Sequence, residues 1–578
     1  MRPTEQKGEG RLHLLETIRD YALERLKENG AYEVTRRVHA EYYLRLVEEA
    51  EPHLKDEQQA TWLEKLEQEV ENLRAALDWL ITGKEEELAL RFCAALRRFW
   101  RLYGYWSEGR RWLEAALSLH PAVGARLIAA PTGEYVSLPS PLAEQVGAGE
   151  SSTITSAERV SISLTARTRA LYAAGDLAYY QDDSNEARKL LKEAVELSRM
   201  LADNRTLALA LGTLGVLMHV PGSHAVAHAL LEESERISRR LNLSWELAYV
   251  LRRVAQHYVQ DGYLKQATDY ATEGLALAKK LGDRSLAANI LGTLGEIAAR
   301  QSDIVQAIAY NRESLSFARS LNDKHLLAST LNNLDYFLAL QGEPTLASDA
   351  LDALKLAREL GDQLLINRVL NTLGYIAIRH DNLPQAIVWY REALSHAVEL
   401  DSRERIGWNL YGLALVAGAE EQHLQAARLF GAVERWLDIQ TEMIPAEHDE
   451  YTRVFENARD HLGKRAFAAV RSEGHSLTPA EILVAPHLHP VVGTPPAPKY
   501  PDGLTNREVQ MLCMISDGLT YREIAGKLHI SPRTVNTYLT RAYSKIQVSR
   551  IQTSADGNTS RVASRIAAAR YVEEHDLC

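Results

Sequence analysis

Cysteine is scarce in this chain: Cys93, Cys513 and Cys578 are spread over 578 residues and never form a C-x-x-C. That spacing argues against a disulfide framework or a zinc ribbon, and it suits a reducing cytoplasm. Long apolar runs are missing as well. The apolar, uncharged stretch at residues 206–221 is shorter than a membrane span and contains Gly212 and Gly215, so no membrane helix and no membrane partner are expected. The N-terminal MRPTEQKGEG lacks the apolar centre of a signal peptide. Also absent is GxxxxGK[ST], the turn whose amides and lysine cradle phosphate. Thr82-Gly83-Lys84 leads into Glu85, Glu86 and Glu87, which would repel phosphate, and Gly292-Thr293-Leu294-Gly295 falls inside a helical pattern. No cofactor, catalytic residue or enzymatic activity is therefore expected. Four histidines, His219, His224, His228 and His257, come close in the pattern, but no carboxylate or thiol completes a ligand set, and no metal site is expected.

The composition is that of an ordinary globular protein, 46% apolar and 25% charged, and the length calls for several domains or a repeat array. The net charge of −11 is unevenly distributed. From Lys499 onward 11 Lys and Arg face 8 Asp and Glu, a net of +3, which leaves −14 on residues 1–498. An acidic body with a basic tail places any polyanion contact at the C-terminal end.

Residues 11–119 read as helices throughout, with Leu63, Leu66, Val70, Leu73 and Leu77 at amphipathic spacing and a closing pair around Trp100 and Trp112. Residues 121–160 shift to Pro, Gly, Ser and Thr and read as a flexible insertion. The chain then repeats. Gly175, Gly215, Ala255, Gly295, Asp335, Gly374 and Ala414 stand 40 residues apart, with one step of 39. Twelve residues after each stands an alanine: Ala187, Ala227, Ala267, Ala307, Ala347, Ala386 and Ala426. Small residues at fixed register let two helices approach closely, and Leu281-Gly282-Asp283 and Leu360-Gly361-Asp362 read as turns closing each unit. The interval resembles the tetratricopeptide repeat in a longer-helix form. That resemblance implies an all-α helical solenoid whose groove, lined by the first helix of each unit, takes a peptide, protein or small-molecule effector. The groove positions are Arg252, Gln256, Asn289, Glu296, Arg300, Asn332, Tyr336, Arg368, Asn371, Tyr375, Arg379, Trp408 and Tyr411.

Residues 504–550 carry a different signature. Thr505 with Glu508 and Thr520 with Glu523 have the form of capping boxes, and Ser531-Pro532 is a helix start. Three short helices follow, the last two joined by His529-Ile530-Ser531, which is helix-turn-helix spacing. The third buries Val535, Leu539 and Ala542 or Tyr543, so Arg533, Asn536, Thr537, Thr540, Arg541 and Ser544 face outward. Asn pairs with adenine, Thr offers a hydroxyl and a methyl, and Arg takes guanine or phosphate, so this face suits the major groove of double-stranded DNA.

These residues resemble the LuxR-type DNA-binding domain. The resemblance implies base contacts by Asn536, Thr537 and Thr540 and phosphate contacts by Arg533, Arg541 and Lys545. It also makes RNA polymerase and a second copy on DNA candidate partners. Three departures stand out: Tyr538 in place of His, Gln547 in place of a helix-ending Gly, and an insertion at residues 551–562 ahead of a fourth helix that commonly dimerises. The segments LLETIRDYALERL, LEQEVENLRAALDWL and SEGRRWLEAAL resemble the region following the nucleotide-binding module in LuxR-type regulators of the signal-transduction ATPase class, here without the ATPase. The expected plan is an N-terminal helical segment (1–120), the insertion (121–160), repeats (161–440), capping helices (441–484), a Pro-rich linker (485–503) and the helix-turn-helix domain (504–578). It describes a cytoplasmic transcription regulator; the alternative is a repeat scaffold with a degenerate, non-binding helix-turn-helix.

Overall fold

The computed structural model describes residues 2–6, 9–13, 16–119, 156–218, 223–321, 323–342, 347–439, 443–484, 504, 506–528, 532–546, 569–575 and 577. The expected insertion is therefore described only from residue 156; the linker 485–503, the insertion 551–562, Thr505, Ser531 and Gln547 lie outside the described residues. Helices dominate, and the chain divides into two compact units, Met1–His257 with Thr272–Ala287, and Tyr258–Ala271 with Ala288–Cys578.

The first unit begins with strands, not with a helix. An antiparallel pair of strands, β1 (Arg2–Gln6) and β2 (Glu9–His13), precedes the first helix, where helix was expected from residue 11. Pairing with a neighbouring strand, not side-chain periodicity, holds so short a segment. Helices α1 (Glu16–Glu28), α2 (Tyr32–His53), α3 (Gln59–Gln68), α4 (Val70–Thr82), α5 (Glu86–Tyr103) and α6 (Trp106–Ser118) follow. The heptad-like leucine run breaks at Glu69, yet Leu63, Leu66, Leu73 and Leu77 are all buried. Next come α7 (Ser156–Tyr180), α8 (Ser184–Leu201), α9 (Asn204–Leu217) and α10 (His224–Arg240), followed by α11 (Ser244–Gln260) and α12 (Leu264–Leu281).

Helices α12 and α13 (Arg284–Arg300) each have residues in both units, and the second unit also holds α14 (Ile304–Leu321), α15 (Lys324–Gln341) and α16 (Ser348–Leu360). Then come α17 (Gln363–Arg379), α18 (Leu383–Glu399), α19 (Arg403–Ala419) and α20 (His423–Trp436). Helices α21 (Pro445–Leu462), α22 (Lys464–Ser476) and α23 (Pro479–Val484) close the repeats, packing on α18 to α20. The C-terminal bundle is α24 (Asn506–Ser516), α25 (Tyr521–Leu528) and α26 (Pro532–Lys545).

The repeat register has a steric cause. A Cβ on Gly175 would stand 2.8 Å from Leu191 Cγ, and one on Gly215 would stand 2.7 Å from Leu231 Cγ. Larger residues would push each hairpin apart. Ala187, Ala227, Ala267, Ala307, Ala386 and Ala426 are all completely buried. The fifth unit departs from this pattern: Ala347 sits before its helix at φ 55°, and Ala350 takes the buried place. Asp335, occupying the glycine position there, accepts a 2.8 Å bond from the Ala350 amide. The turn aspartates are helix N-caps. Asp283 accepts from the Leu286 amide and Asp362 from the Leu365 amide, each at 2.9 Å. Gly282 and Gly361 precede them at φ +79° and +66°, values that side chains rarely adopt.

Candidate nucleic-acid interface and repeat groove

In the C-terminal bundle, Val509, Leu512, Ile515, Ile524, Val535, Leu539 and Ala542 form one buried core. The second capping box is formed as its spacing requires: Glu523 accepts from the Thr520 amide at 2.7 Å, and the Glu523 amide donates to Thr520 Oγ1 at 3.3 Å. With Val535, Leu539 and Ala542 inward, Asn536 and Thr540 lie exposed one turn apart, and Thr540 Oγ1 donates to the Asn536 carbonyl at 2.8 Å. Arg541 is half-buried beside them. Lys545 is ion-paired with the buried Glu508 at 2.7 Å. A lysine held this way ties α26 to α24, which fixes the exposed face and draws its own charge away from a phosphate. The Glu508 carboxylate thus serves α26, a role its capping-box spacing did not suggest. The side chains of Arg533, Thr537 and Ser544 lie outside the described residues. Cys513, expected to be unpaired, is disulfide-bonded. Sequence distance hid this, since the fold brings the Leu577 carbonyl within 3.6 Å of the Cys513 sulfur.

In the second unit the expected groove residues meet a helix of their own chain. Tyr336 OH donates to the Glu447 carboxyl group, Tyr375 OH donates to Glu450 Oε2 at 2.9 Å, and Tyr411 OH donates to the Glu447 carbonyl at 3.1 Å. Arg379 lies 4.0 Å from Glu450. Burial pushes the Glu447 carboxyl up to about 8, against the Ile444 amide bond and the Arg300 charge, which favour ionisation. It is therefore largely protonated at neutral pH. Asn371 donates to Asn409 at 3.0 Å, Asn332 is buried with its Oδ1 unpartnered, and Asn289 is half-buried. Glu447 and Glu450 escaped the sequence reading, although their spacing of one turn places both on one face of α21.

In the first unit, α5 packs on α7 through buried charge. Arg97 Nη1 lies 2.5 Å from Asp176, and Arg98 pairs with Asp283, which also accepts from Trp245 Nε1 at 2.6 Å and Gln59 Nε2 at 3.0 Å. A cavity of about 790 Å³ opens beside them, lined among others by Lys55, Arg97, Tyr172, Arg205, Trp245 and Glu246. Its size suits a small organic ligand. Burial lowers the Lys55 ammonium pKa while Glu51, 3.3 Å away, opposes that. Arg252 is buried and Gln256 half-buried on α11. His228 pairs with Glu232 at 3.3 Å and stacks on His257. No described helix is long and apolar enough to cross a membrane.

Residues 502–556 match the family described as bacterial regulatory proteins, luxR family. A Mycobacterium tuberculosis protein provisionally named an HTH-type transcriptional regulator is 24% identical over 594 residues, covering 94% of this chain and 66% of its own length. The transcriptional regulatory protein LiaR of Bacillus subtilis is 44% identical over 48 residues, 8% of this chain and 23% of that protein. Among solved structures, a Rap protein complexed with competence and sporulation factor aligns with 11% identity and a TM-score of 0.40, over 64% of this chain and 98% of its own.

Proposed function

From a chain that carries a LuxR-type helix-turn-helix domain at its C-terminus, we propose a DNA-binding transcription regulator whose helical repeats sense an effector. The observation that supports DNA binding best is α26 itself. It turns Val535, Leu539 and Ala542 into the core and presents Asn536 and Thr540 to solvent, within the segment matching the luxR family. Asn536, Thr537 and Thr540 are assigned to bases, and Arg533 and Arg541 to phosphates, with Lys545 contributing through its hold on Glu508. The sensing role draws on the first unit's cavity and on the polar inner positions of both units. Effector binding changes the freedom or pairing of the DNA-binding domain, and RNA polymerase and a second copy on DNA are its natural further partners.

The test is selection of genomic DNA fragments by the full chain across a salt series. Asn536→Ala should relax specificity at one base pair, a loss of about 1–3 kcal/mol. Arg541→Ala should weaken binding to all sequences and flatten the salt slope. Weak, sequence-independent binding by the wild type would replace this reading with that of a repeat scaffold.

A further inference from the structure

We infer that Arg252, with Gln256 one turn further along α11, forms a binding site for a small oxyanion, a carboxylate or phosphate group, in the first unit's repeats. The inference rests on the sensing role proposed above and gives its ligand a chemistry.

The inner side of this unit holds more buried positive than negative charge. Arg97, Arg101, Arg252 and Arg253 are each at least nine-tenths buried, and the carboxylate among them is Asp176. Asp176 is fully committed, since Arg97 binds one of its oxygens and Tyr249 OH donates to the other at 3.2 Å. Arg101 donates to Tyr180 OH at 2.9 Å. Arg253 donates to Tyr179 OH at 2.7 Å and to Tyr249 OH at 2.8 Å. Arg252 alone of the four has no hydrogen-bond acceptor or ion pair among the described residues; the Tyr249 ring centre lies 5.7 Å from its guanidinium carbon.

A guanidinium in that position is under two penalties. Burial disfavours its charge, and Arg253 beside it adds repulsion; the phenols Tyr180, Tyr249 and Tyr179 oppose these only in part. The Tyr180 phenol registers the same excess. Burial resists its ionisation, yet Arg101, Arg253 and Arg252 together pull its pKa below the ordinary range. One helical turn from Arg252, Gln256 Oε1 is also buried without a partner. An oxyanion answers this arrangement, because the planar guanidinium fork matches two oxygens and the incoming charge offsets the local excess. Rotating the Gln256 amide by half a turn exchanges its unpartnered Oε1 for the NH₂, which can donate to a third oxygen. A neutral ligand would supply neither.

The test uses the full chain, with melting temperature and titration calorimetry in sodium chloride, inorganic phosphate and citrate at matched ionic strength. Phosphate or citrate should raise the melting temperature by about 2 °C or more at ten times its dissociation constant. Comparing the two separates a preference for phosphate from one for carboxylate. Arg252→Met should abolish the response while leaving the melting temperature in chloride unchanged or higher, because it removes an uncompensated buried charge. Arg252→Lys should retain part of the response, and Arg236→Met, at an exposed position on α10, should retain all of it. An equal response in wild type and Arg252→Met, or none in wild type, overturns the site. Operator affinity measured in the same buffers separates the two readings. An Arg252-dependent anion response with unchanged DNA affinity keeps the site and removes its regulatory role.

Discussion

The two units fasten a helix to their repeats by opposite electrostatic means. In the first, α5 meets α7 through Arg97 and Asp176, with Arg98 on Asp283 nearby, so formal charges are buried in pairs. In the second, α21 meets α15, α17 and α19 through phenols on Glu447 and Glu450, and Glu447 is driven towards its neutral form. Paired buried charges are unforgiving, since losing one partner strands the other. A protonated carboxyl and a phenol carry no such penalty, but their grip depends on pH. The first junction therefore behaves as a fixed joint and the second as a tunable one.

The strongest way to break the contrast is Asp176→Asn. It strands Arg97 among Arg101 and Arg253 and should cost about 3–5 kcal/mol, read as a lower urea midpoint for the first unit's transition. Glu447→Gln should act in the other direction. The wild-type carboxyl has a folded pKa near 8, above its unfolded value of about 4.5, so its protonated form is favoured by folding. Its contribution is complete below the unfolded value and is lost as pH rises through the folded one. Glutamine cannot ionise; its oxygen can accept from the Ile444 amide while its NH₂ donates to the Tyr336 hydroxyl. The variant should therefore match wild type near pH 4 and exceed it by up to about 2–4 kcal/mol at pH 8, shown by urea titrations at both pH values. Gly175→Ala tests packing alone. Its Cβ would stand 2.8 Å from Leu191 Cγ, and a loss of about 1–3 kcal/mol is expected in the same denaturation assay. The smallest effect belongs to Thr520→Ala, which removes one half of a capping box. A loss of about 1 kcal/mol is expected, confined to the C-terminal bundle and visible as faster amide exchange in α25.

The repeats and the bundle were legible for different reasons. The glycine and alanine ladder is a steric requirement repeated at fixed register, so it shows in sequence as spacing; it failed at Ala347, where Asp335 replaces the glycine and the next helix starts later. Capping and helix-start residues act within one turn, so the three helices of the bundle could be placed before any contact was known. Groove positions were found by counting, but counting gives direction and not occupancy. Tyr336, Tyr375 and Tyr411 point inward and already hold α21.

The sequence by itself determined the helical hairpins, their register, the turn caps and the helix-turn-helix, because each rests on side chains a few residues apart or on a strict period. Tertiary structure decided which charges meet. The residues of the Arg98–Asp283 and Tyr336–Glu447 pairs are separated by 185 and 111 positions. Only folding brings such groups into a low-dielectric interior, where pairing and solvation, not residue type, decide which remain charged. The same process left Arg252 charged, buried and without an acceptor among the described residues, a condition that no spacing in the chain could have announced.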